Sequence, residues 1–251
     1  MGSIADNLQE VKRRITSACI GAGRSPQAVT LLAVSKTFDA DCVRQAVAAG
    51  QTAFGENYVQ EGVAKIEALR DVRAQLTWHF IGPLQSNKTR EVAAAFDWVH
   101  SIDRLKIAQR LADQRPAHLP PLQVCVQVNI SGEASKAGVA PEAVAAFAAA
   151  IAALPRERLV LRGLMAIPEP AADPVAQCAP HRALRELLTL LCAQGLALDT
   201  LSMGMSADLE SAINEGATLV RIGSAIFGAR EPVLAHGEHR AIPNPPQRSG
   251  A

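Results

Sequence analysis

Residues 200–228 read TLSMGMSADLESAINEGATLVRIGSAIFG, and this stretch contains one complete repeating unit of the fold. Two short apolar runs, 200–206 and 219–228, enclose the helical pattern ADLESAINEG, which closes on Gly216. Glycine directly after the last periodic residue is the usual end of a helix. Parallel strands need such a helical crossover, so the stretch predicts a strand–helix–strand unit.

The same alternation runs through most of the chain. Eight short apolar runs predict strands, at 29–36, 52–57, 77–84, 98–102, 122–131, 159–167, 200–206 and 219–228. Longer helical patterns join each run to the next, at 39–50, 56–69, 86–96, 103–115, 141–155, 181–195 and 207–216, and a leading helix is expected within 4–22. Eight consecutive units in this length favour a closed (β/α)8 TIM barrel over an open doubly wound sheet.

The length of 251 residues leaves little outside this barrel. We expect one barrel domain over 1–229 and a Pro- and Gly-rich, largely unpacked tail over 230–251. The tail contains His236 and His239, but no further ligand cluster accompanies them, so no metal site is predicted.

Charge and hydropathy exclude several classes of protein. The chain has 25 basic and 24 acidic side chains, and a net charge of +1 does not suit a nucleic-acid binder. No run approaches the roughly 18 apolar residues of a membrane span, and the N-terminus carries no signal-peptide pattern. We therefore predict a cytoplasmic protein. Its five scattered cysteines are expected to be reduced and mostly buried.

Active sites of such barrels form where the strands end at their carboxyl termini. Lys36 directly follows the apolar run LLAVS and is one of only six lysines in the chain. A lysine partly desolvated in a barrel mouth has a lowered pKa, and its amine can then attack an aldehyde. A solvated lysine at a strand end is the plainer interpretation.

The last two strands carry a cluster of glycine and hydroxyl residues. Gly204, Ser206, Gly223 and Ser224 fall where barrels commonly bind phosphate. Glycine allows close approach of the backbone, while N–H groups, serine hydroxyls and the start of the helix after Ser206 favour an anion. Packing glycines and a helix cap are the alternative interpretation of each residue alone.

Closure of the barrel places the last strand beside the first, so this cluster and Lys36 are expected side by side. A phosphate site next to an amine suits a phosphorylated aldehyde. Pyridoxal 5′-phosphate (PLP) is the commonest such ligand, although a Schiff-base aldolase acting on a sugar phosphate has similar needs.

Arg221 should point into the barrel, in the same direction as Gly223. It could pair with a buried acid, or it could donate to a ring nitrogen. An arginine keeps its proton, so a ring nitrogen facing it stays unprotonated and the ring is a poor electron sink.

Seven motifs in order resemble the pyridoxal phosphate homeostasis protein family: AVSKT, FGENYVQE, WHFIGPLQSNK, VNISGEASKAG, LRGLMAI, LSMGMSADLESAI and GATLVRIGSAIFG. They span about residues 31–230. The resemblance implies a barrel like the N-terminal domain of alanine racemase, with PLP held as an internal aldimine on Lys36. It assigns the phosphate to Ser206, Gly223 and Ser224 and the ring nitrogen to Arg221. Many relatives have threonine in place of Ser224, and the hydroxyl is retained.

Further cofactor contacts are expected from residues that occupy family motifs near the ring. They are Asn57, His79 and Met203, and Gly204 of the glycine and hydroxyl cluster is also an expected cofactor contact. Lys136, in the loop after the fifth strand, is either a second PLP contact or a solvated loop lysine.

The resemblance implies a PLP-binding regulator or carrier that buffers or delivers the cofactor, affects amino-acid metabolism and has no established catalytic reaction. Alanine racemase adds a second domain carrying an acid/base tyrosine, whereas this chain is filled by one barrel and has a single tyrosine, Tyr58. Apo PLP-dependent enzymes are the expected acceptors, and a monomer is the expected state. The alternatives are a PLP-dependent racemase or lyase, which needs a base near the substrate Cα, and the aldolase above.

Overall fold

Eight parallel strands close into a barrel in the order β1 to β8, and β1 pairs with β8 to complete the ring. The computed structural model describes residues 2–133, 136–171 and 173–228. The strands are β1 Thr30–Val34, β2 Ala53–Glu56, β3 Thr77–Phe80, β4 Trp98–Ile102, β5 Leu122–Gln127, β6 Leu159–Met165, β7 Thr200–Ser202 and β8 Leu219–Ile222. The predicted (β/α)8 barrel is confirmed.

One helix follows each of the first seven strands, as predicted. The helices are α1 Ile4–Gly21, α2 Ala40–Ala48, α3 Val59–Ala68, α4 Thr89–Ala95, α5 Leu105–Gln114, α6 Val144–Ala152, α7 Pro174–Ala193, α8 Leu209–Asn214 and α9 Ser224–Phe227. Asp39 and Asp173 cap α2 and α7 through their carboxylates, which accept hydrogen bonds from backbone N–H groups of the first turn.

The leading helix α1 holds the two ends of the barrel sequence together. It starts with a capping box between Ser3 and Asp6 and buries an apolar face that includes Leu8 and Val11. It packs against α8 and α9. Asn7 donates to the carbonyl of Ile226 at 2.9 Å, so this helix is tied directly to the segment that follows β8.

Apolar side chains fill the layer between strands and helices, while the barrel interior is largely polar. Leu32, Ala53 and Leu219 form a small apolar cluster separate from the main core. Interiors of such barrels are usually filled by branched apolar side chains. Here buried histidine, serine and arginine side chains take much of that space.

Several predicted boundaries are wrong. The runs 77–84, 122–131 and 200–206 are strand only to Phe80, Gln127 and Ser202. The apolar run 219–228 is strand only to Ile222, and Ser224–Phe227 forms the short helix α9 because Gly223 leaves the extended conformation. The helix predicted to begin at His181 begins at Pro174, since Asp173 caps it and proline fits the first position of a helix.

The cysteine prediction is partly wrong. All five thiols are free, but only Cys19 and Cys125 are buried, and Cys192 is exposed. The predicted tail over 230–251, with His236 and His239, lies outside the described residues. Within the described ranges, none of the helices has the length and apolar character needed to cross a membrane.

Gly163 sets the spacing between β6 and β7. A Cβ atom at this position would lie 1.8 Å from the backbone oxygen of Thr200. Gly163→Ala should therefore lower the free energy of unfolding by about 1–3 kcal/mol or more in urea denaturation, because rigid backbone must move. Gly21→Ala is the control, since its Cβ would meet nothing within 4 Å. Equal stabilities of the two variants would contradict this account.

Candidate functional site

A cavity of about 320 Å³ opens where the strands end at their carboxyl termini. Six predicted site residues line it: Lys36, Asn57, Ser206, Arg221, Gly223 and Ser224. Its apolar walls come from Val34, Phe38, Ile81, Ile167 and Met205. The structure thus brings together residues from β1, β2, β7 and β8, which closure of the barrel makes neighbours.

Lys36 enters this cavity from the loop that follows β1. Its neighbours in the chain are held on both sides: the Ser35 N–H donates to Gly55 at 3.0 Å, and the Thr37 N–H donates to the Glu61 carboxylate. Thr37 adopts a φ of 70°, in the left-handed region that non-glycine residues seldom occupy. The carboxylate of Glu61 therefore fixes a turn that the local sequence does not favour.

A buried ion cluster lies beneath Lys36. The Lys65 ammonium donates to Glu56 at 2.7 Å, to Glu61 at 2.6 Å and to the carbonyl of Ser35 at 2.6 Å. The Ser35 hydroxyl also donates to Glu56, at 2.6 Å. All three donors of the ammonium are used, so Lys65 acts as a brace for the loop that carries Lys36.

Burial raises the pKa of Glu56 above its ordinary value, while Lys65 and the Ser35 hydroxyl oppose the rise. One carboxylate oxygen of Glu56 is buried without a hydrogen-bond partner among the described residues. The carboxylate therefore depends strongly on the Lys65 charge.

Arg221 is 5% exposed and is held by neutral oxygens. One terminal nitrogen donates to the Ser202 carbonyl at 2.6 Å and to the Ser202 hydroxyl at 2.8 Å, and the other donates to the Ala166 carbonyl at 2.9 Å. The described residues provide no ion pair with a carboxylate. Burial lowers the pKa of Arg221 to about 10, with Asp208 opposing the shift, so the side chain is a cation at neutral pH.

Asp208 shapes the loop between β7 and α8. Its carboxylate accepts hydrogen bonds from the Met205 N–H at 2.6 Å and pairs with His181 at 3.0 Å. Burial raises the pKa of Asp208, but the bonds from His181 and Met205 outweigh it and leave the pKa lowered. Arg14 of α1 donates to the carbonyl of Ser206 at 3.1 Å. The position of Ser206 therefore depends on the leading helix.

Gly223 lies against β1, where a Cβ atom would meet the Val34 oxygen at 3.1 Å. Close packing therefore accounts for this glycine, which also lines the cavity. Ser224 begins α9, whose first N–H groups have no partner within the helix.

Three predicted cofactor contacts lie outside the cavity lining. His79 is part of β3 and points into the barrel interior, where it contacts His100. Met203 is fully buried in the apolar layer. Gly204 has a φ of 93°, and a Cβ there would lie 2.6 Å from Ala212, so its role is to let the loop turn beside α8.

Lys136 also lies outside the cavity lining, and its ammonium pairs with Glu169 at 3.1 Å and Glu133 at 3.4 Å. The solvated-lysine interpretation accounts for these contacts.

Sequence reasoning placed Glu56 at the end of the second strand without a role, and it missed the other residues that support the site: Arg14, Glu61, Lys65, His181 and Asp208. The spacing of Glu61 and Lys65 on one helix face was the one available signal, because residues four apart are neighbours on a helix. Such pairs are usually exposed, and the burial of Lys65 follows from tertiary packing.

Comparison with known proteins agrees with this arrangement. The family model of the alanine racemase N-terminal domain matches residues 2–231. The pyridoxal phosphate homeostasis protein of Pseudomonas aeruginosa is 62% identical over 231 residues, covering 92% of this chain and 97% of the relative. The protein of the same name from Escherichia coli K12 is 54% identical over 232 residues, covering 92% and 98%.

The chain belongs to the pyridoxal phosphate homeostasis protein family. Among solved structures, this chain is similar to PipY of Synechococcus elongatus, a COG0325 family member solved with PLP bound, at 36% identity and a TM-score of 0.78. That alignment covers 90% of this chain and 100% of PipY. The resemblance expected from the motifs is confirmed.

Alanine racemase of Corynebacterium glutamicum shares the fold, with a TM-score of 0.63 at 21% identity. The match covers 96% of this chain but 63% of the racemase. The likeness to the racemase concerns the barrel alone.

Replacing Lys65 tests the brace beneath Lys36. Lys65→Met leaves the Glu56 carboxylate buried without its cation, so it should lower the free energy of unfolding by about 3–5 kcal/mol at pH 7. Lys106→Met is the control, because Lys106 is exposed on α5 and a change there costs no more than about 0.5 kcal/mol. Urea denaturation measures both, and Lys65→Met/Glu56→Gln should recover much of the loss.

The deficit of Lys65→Met should shrink as the pH falls. Without Lys65 the pKa of folded Glu56 rises further above its unfolded value, so the folded state binds the additional proton between the two values. Stability of the variant, relative to the parent, therefore increases as the pH decreases through that window. A deficit that is constant or grows from pH 7 to pH 5 would contradict the role assigned to Glu56.

Proposed function

We propose that this protein binds PLP covalently through Lys36 and acts in PLP homeostasis by buffering the cofactor or delivering it. One observation carries the proposal: a single cavity contains Lys36, the buried cation Arg221 and the hydroxyls of Ser206 and Ser224. In one apolar-walled cavity, an amine can react with the aldehyde of a phosphorylated aldehyde, and an anion site can bind its phosphate.

Among the described residues, one polar atom of Asn57 lacks a hydrogen-bond partner and the charge of Arg221 lacks a carboxylate, and such a ligand can satisfy both. The side-chain oxygen of Asn57 is buried and has no hydrogen-bond partner among the described residues. Arg221 brings a buried positive charge that neighbouring carbonyls stabilise but do not neutralise. A dianionic phosphate and a hydrogen-bonding aromatic ring would supply the missing charge and partners.

Each residue has a distinct task in this proposal. Ser206, Gly223 and Ser224 would hold the phosphate, and Arg221 would donate to the ring nitrogen. PLP supplies an aldehyde that condenses with a lysine amine, with loss of water. The brace of Lys65, Glu56 and Glu61 keeps the loop in place so that Lys36 faces the cavity.

The relatives support this assignment. The homologues in Pseudomonas aeruginosa and Escherichia coli are named pyridoxal phosphate homeostasis proteins, and PipY has been solved with PLP bound. We extend PLP binding to this chain because the cavity residues are present and meet in one place.

We further propose that the protein is a carrier and not an enzyme. Tyr58, the chain's only tyrosine, is 58% exposed and does not line the cavity. An arginine facing the ring nitrogen leaves that nitrogen unprotonated, which disfavours removal of a substrate Cα proton. Incubation with amino acids in deuterated water tests this point, since exchange at Cα at enzymic rates would favour the racemase or lyase alternative.

A monomer in the cytoplasm, with apo PLP-dependent enzymes as acceptors, completes the proposal. Five free thiols suit a reducing compartment. Mixing the loaded protein with an apo-enzyme and following the recovered activity tests delivery. A trap for free PLP in the same assay separates direct transfer from release, and sedimentation gives the oligomeric state.

Lys36→Ala should remove the visible absorbance of the PLP-loaded protein and leave its thermal unfolding close to that of the parent, because Lys36 is the proposed point of attachment. Borohydride reduction followed by peptide mass spectrometry should place the PLP mass on Lys36 in the parent. Lys106→Ala is the control and should keep both signals. An unchanged spectrum in Lys36→Ala would refute the assignment.

A further inference from the structure

A chain of buried polar side chains runs through the barrel interior from Arg221 to the opposite end. The Arg221 guanidinium donates to the Ser202 hydroxyl at 2.8 Å, which lies 2.8 Å from Nδ1 of His100. Nε2 of His100 lies 2.9 Å from Nδ1 of His79. All four side chains are buried, so each proton between two of them must find its acceptor within the chain.

This requirement fixes the direction of the hydrogen bonds. Arginine only donates, so the Ser202 oxygen accepts from Arg221 and its own hydrogen is left to donate. The described contacts of that hydroxyl are Arg221 and His100, and only His100 can accept. We therefore assign the proton of His100 to Nε2, which donates to His79, and the proton of His79 to its own Nε2.

Reversing the direction of these hydrogen bonds would leave a buried hydrogen without an acceptor. A proton on Nδ1 of His100 would point at a serine oxygen that already accepts from Arg221. The serine hydrogen would then be buried without an acceptor among the described residues, which is costly.

Both histidines are neutral in this arrangement. Burial lowers the pKa of His79 to about 3, and burial together with the neighbouring His79 and Arg221 lowers the pKa of His100 well below its ordinary value. The chain therefore carries a single positive charge, at Arg221.

The far end of the chain reaches a second cavity, of about 410 Å³, at the amino-terminal ends of the strands. His79 and Trp98 line this cavity, and their rings stack with centroids 5.3 Å apart. Trp98 thereby holds the ring of His79 in place, while the cavity provides space for a partner to its remaining N–H group.

We propose that His100 is a positioning residue that acts through Ser202 to orient Arg221 toward the PLP ring. The hydroxyl of Ser202 can rotate about its Cβ–Oγ bond, and His100 is the acceptor that turns the hydrogen away from the guanidinium. Backbone carbonyls of Ser202 and Ala166 hold two of the other donors of Arg221, and their positions do not depend on rotation of any side chain. The contact of Arg221 with the Ser202 hydroxyl can change by rotation of that hydroxyl, and His100 fixes the rotation. The inference rests on the proposed function, since it concerns how the ring-facing arginine is held.

Two replacements of His100 separate orientation from packing. The side-chain oxygen of His100→Asn lies near the position of Nδ1 and keeps an acceptor for Ser202, whereas His100→Leu fills space without one. We expect PLP retention, measured by dialysis of the loaded protein, to fall about tenfold in His100→Leu, equivalent to about 1.4 kcal/mol. His100→Asn should stay within about threefold of the parent, and Ser202→Ala should resemble His100→Leu.

The pH profile of the visible band gives a readout that a packing defect does not move. In His100→Leu its midpoint should shift downward, because a loosened Arg221 no longer keeps a proton from the ring nitrogen, and a positive charge on the ring disfavours protonation of the conjugated Schiff base. His118→Leu is the control, since His118 is exposed, and it should match the parent in retention and midpoint.

Nitrogen NMR of the PLP-free parent tests the tautomers directly and does not depend on the variants folding. Protons on Nε2 of both His79 and His100 are expected, and a proton on Nδ1 of His100 overturns the proposal. It is also overturned if His100→Leu keeps the parent's retention and midpoint, or if His100→Asn behaves like His100→Leu. A parent protein that never acquires the visible band would instead refute the proposed function.

Discussion

The structure of the barrel depends on how it accommodates the buried guanidinium of Arg221. Removing a cation from water is expensive unless its donors are satisfied, and the described surroundings of Arg221 satisfy them with carbonyl and hydroxyl oxygens instead of a carboxylate. The loop after β6 and the end of β7 supply those oxygens, so both must end at defined positions. These neutral oxygens leave the positive charge of Arg221 without a carboxylate partner among the described residues, and Arg221 lines the adjoining cavity.

The structure also distinguishes two lysines that lie near one another in the fold. Lys65 is buried, and its three donors are taken by Glu56, Glu61 and the carbonyl of Ser35. With its three donors engaged and its side chain outside the cavity lining, this ammonium is not placed to attack an aldehyde bound in the cavity. Lys36 lines the cavity instead. The proposed covalent chemistry therefore selects Lys36 for two reasons: Lys36 lines the cavity, and the donors of Lys65 are bound elsewhere.

The barrel was predictable because the sequence patterns that indicate it lie within short stretches of the chain. Alternating strand and helix patterns, with glycine after helices, are properties of neighbouring residues, and closure then follows from the number of units. The rule that sites form at the carboxyl ends of strands was enough to predict that Lys36, Ser206 and Ser224 lie close together, and all three line one cavity. It misplaced His79 because the run 77–84 was taken as one strand, whereas β3 ends at Phe80 and His79 faces the interior. Gly82 then packs against the backbone of Asn57, and Pro83 has no N–H for a strand ladder.

The supporting residues were not predictable, since their roles arise from contacts distant in sequence. Arg14 and Ser206 are separated by 192 positions, and no local pattern marks them as partners. The buried histidines are similar: His100 and Ser202 are 102 positions apart, and each looks unremarkable in its own strand.

The pairing of β1 with β8 determines when, during synthesis of the chain, the barrel can close and its cavity can form. Lys36 is among the first residues of the barrel to be synthesised, and Gly223 and Ser224 are among the last. Asn7 meets Ile226 across 219 positions of sequence. Contacts of such separation form late, after most chain entropy has been lost. A nascent chain thus contains Lys36 long before it contains Gly223 and Ser224, so the cavity that these residues line forms only when the whole ring has closed.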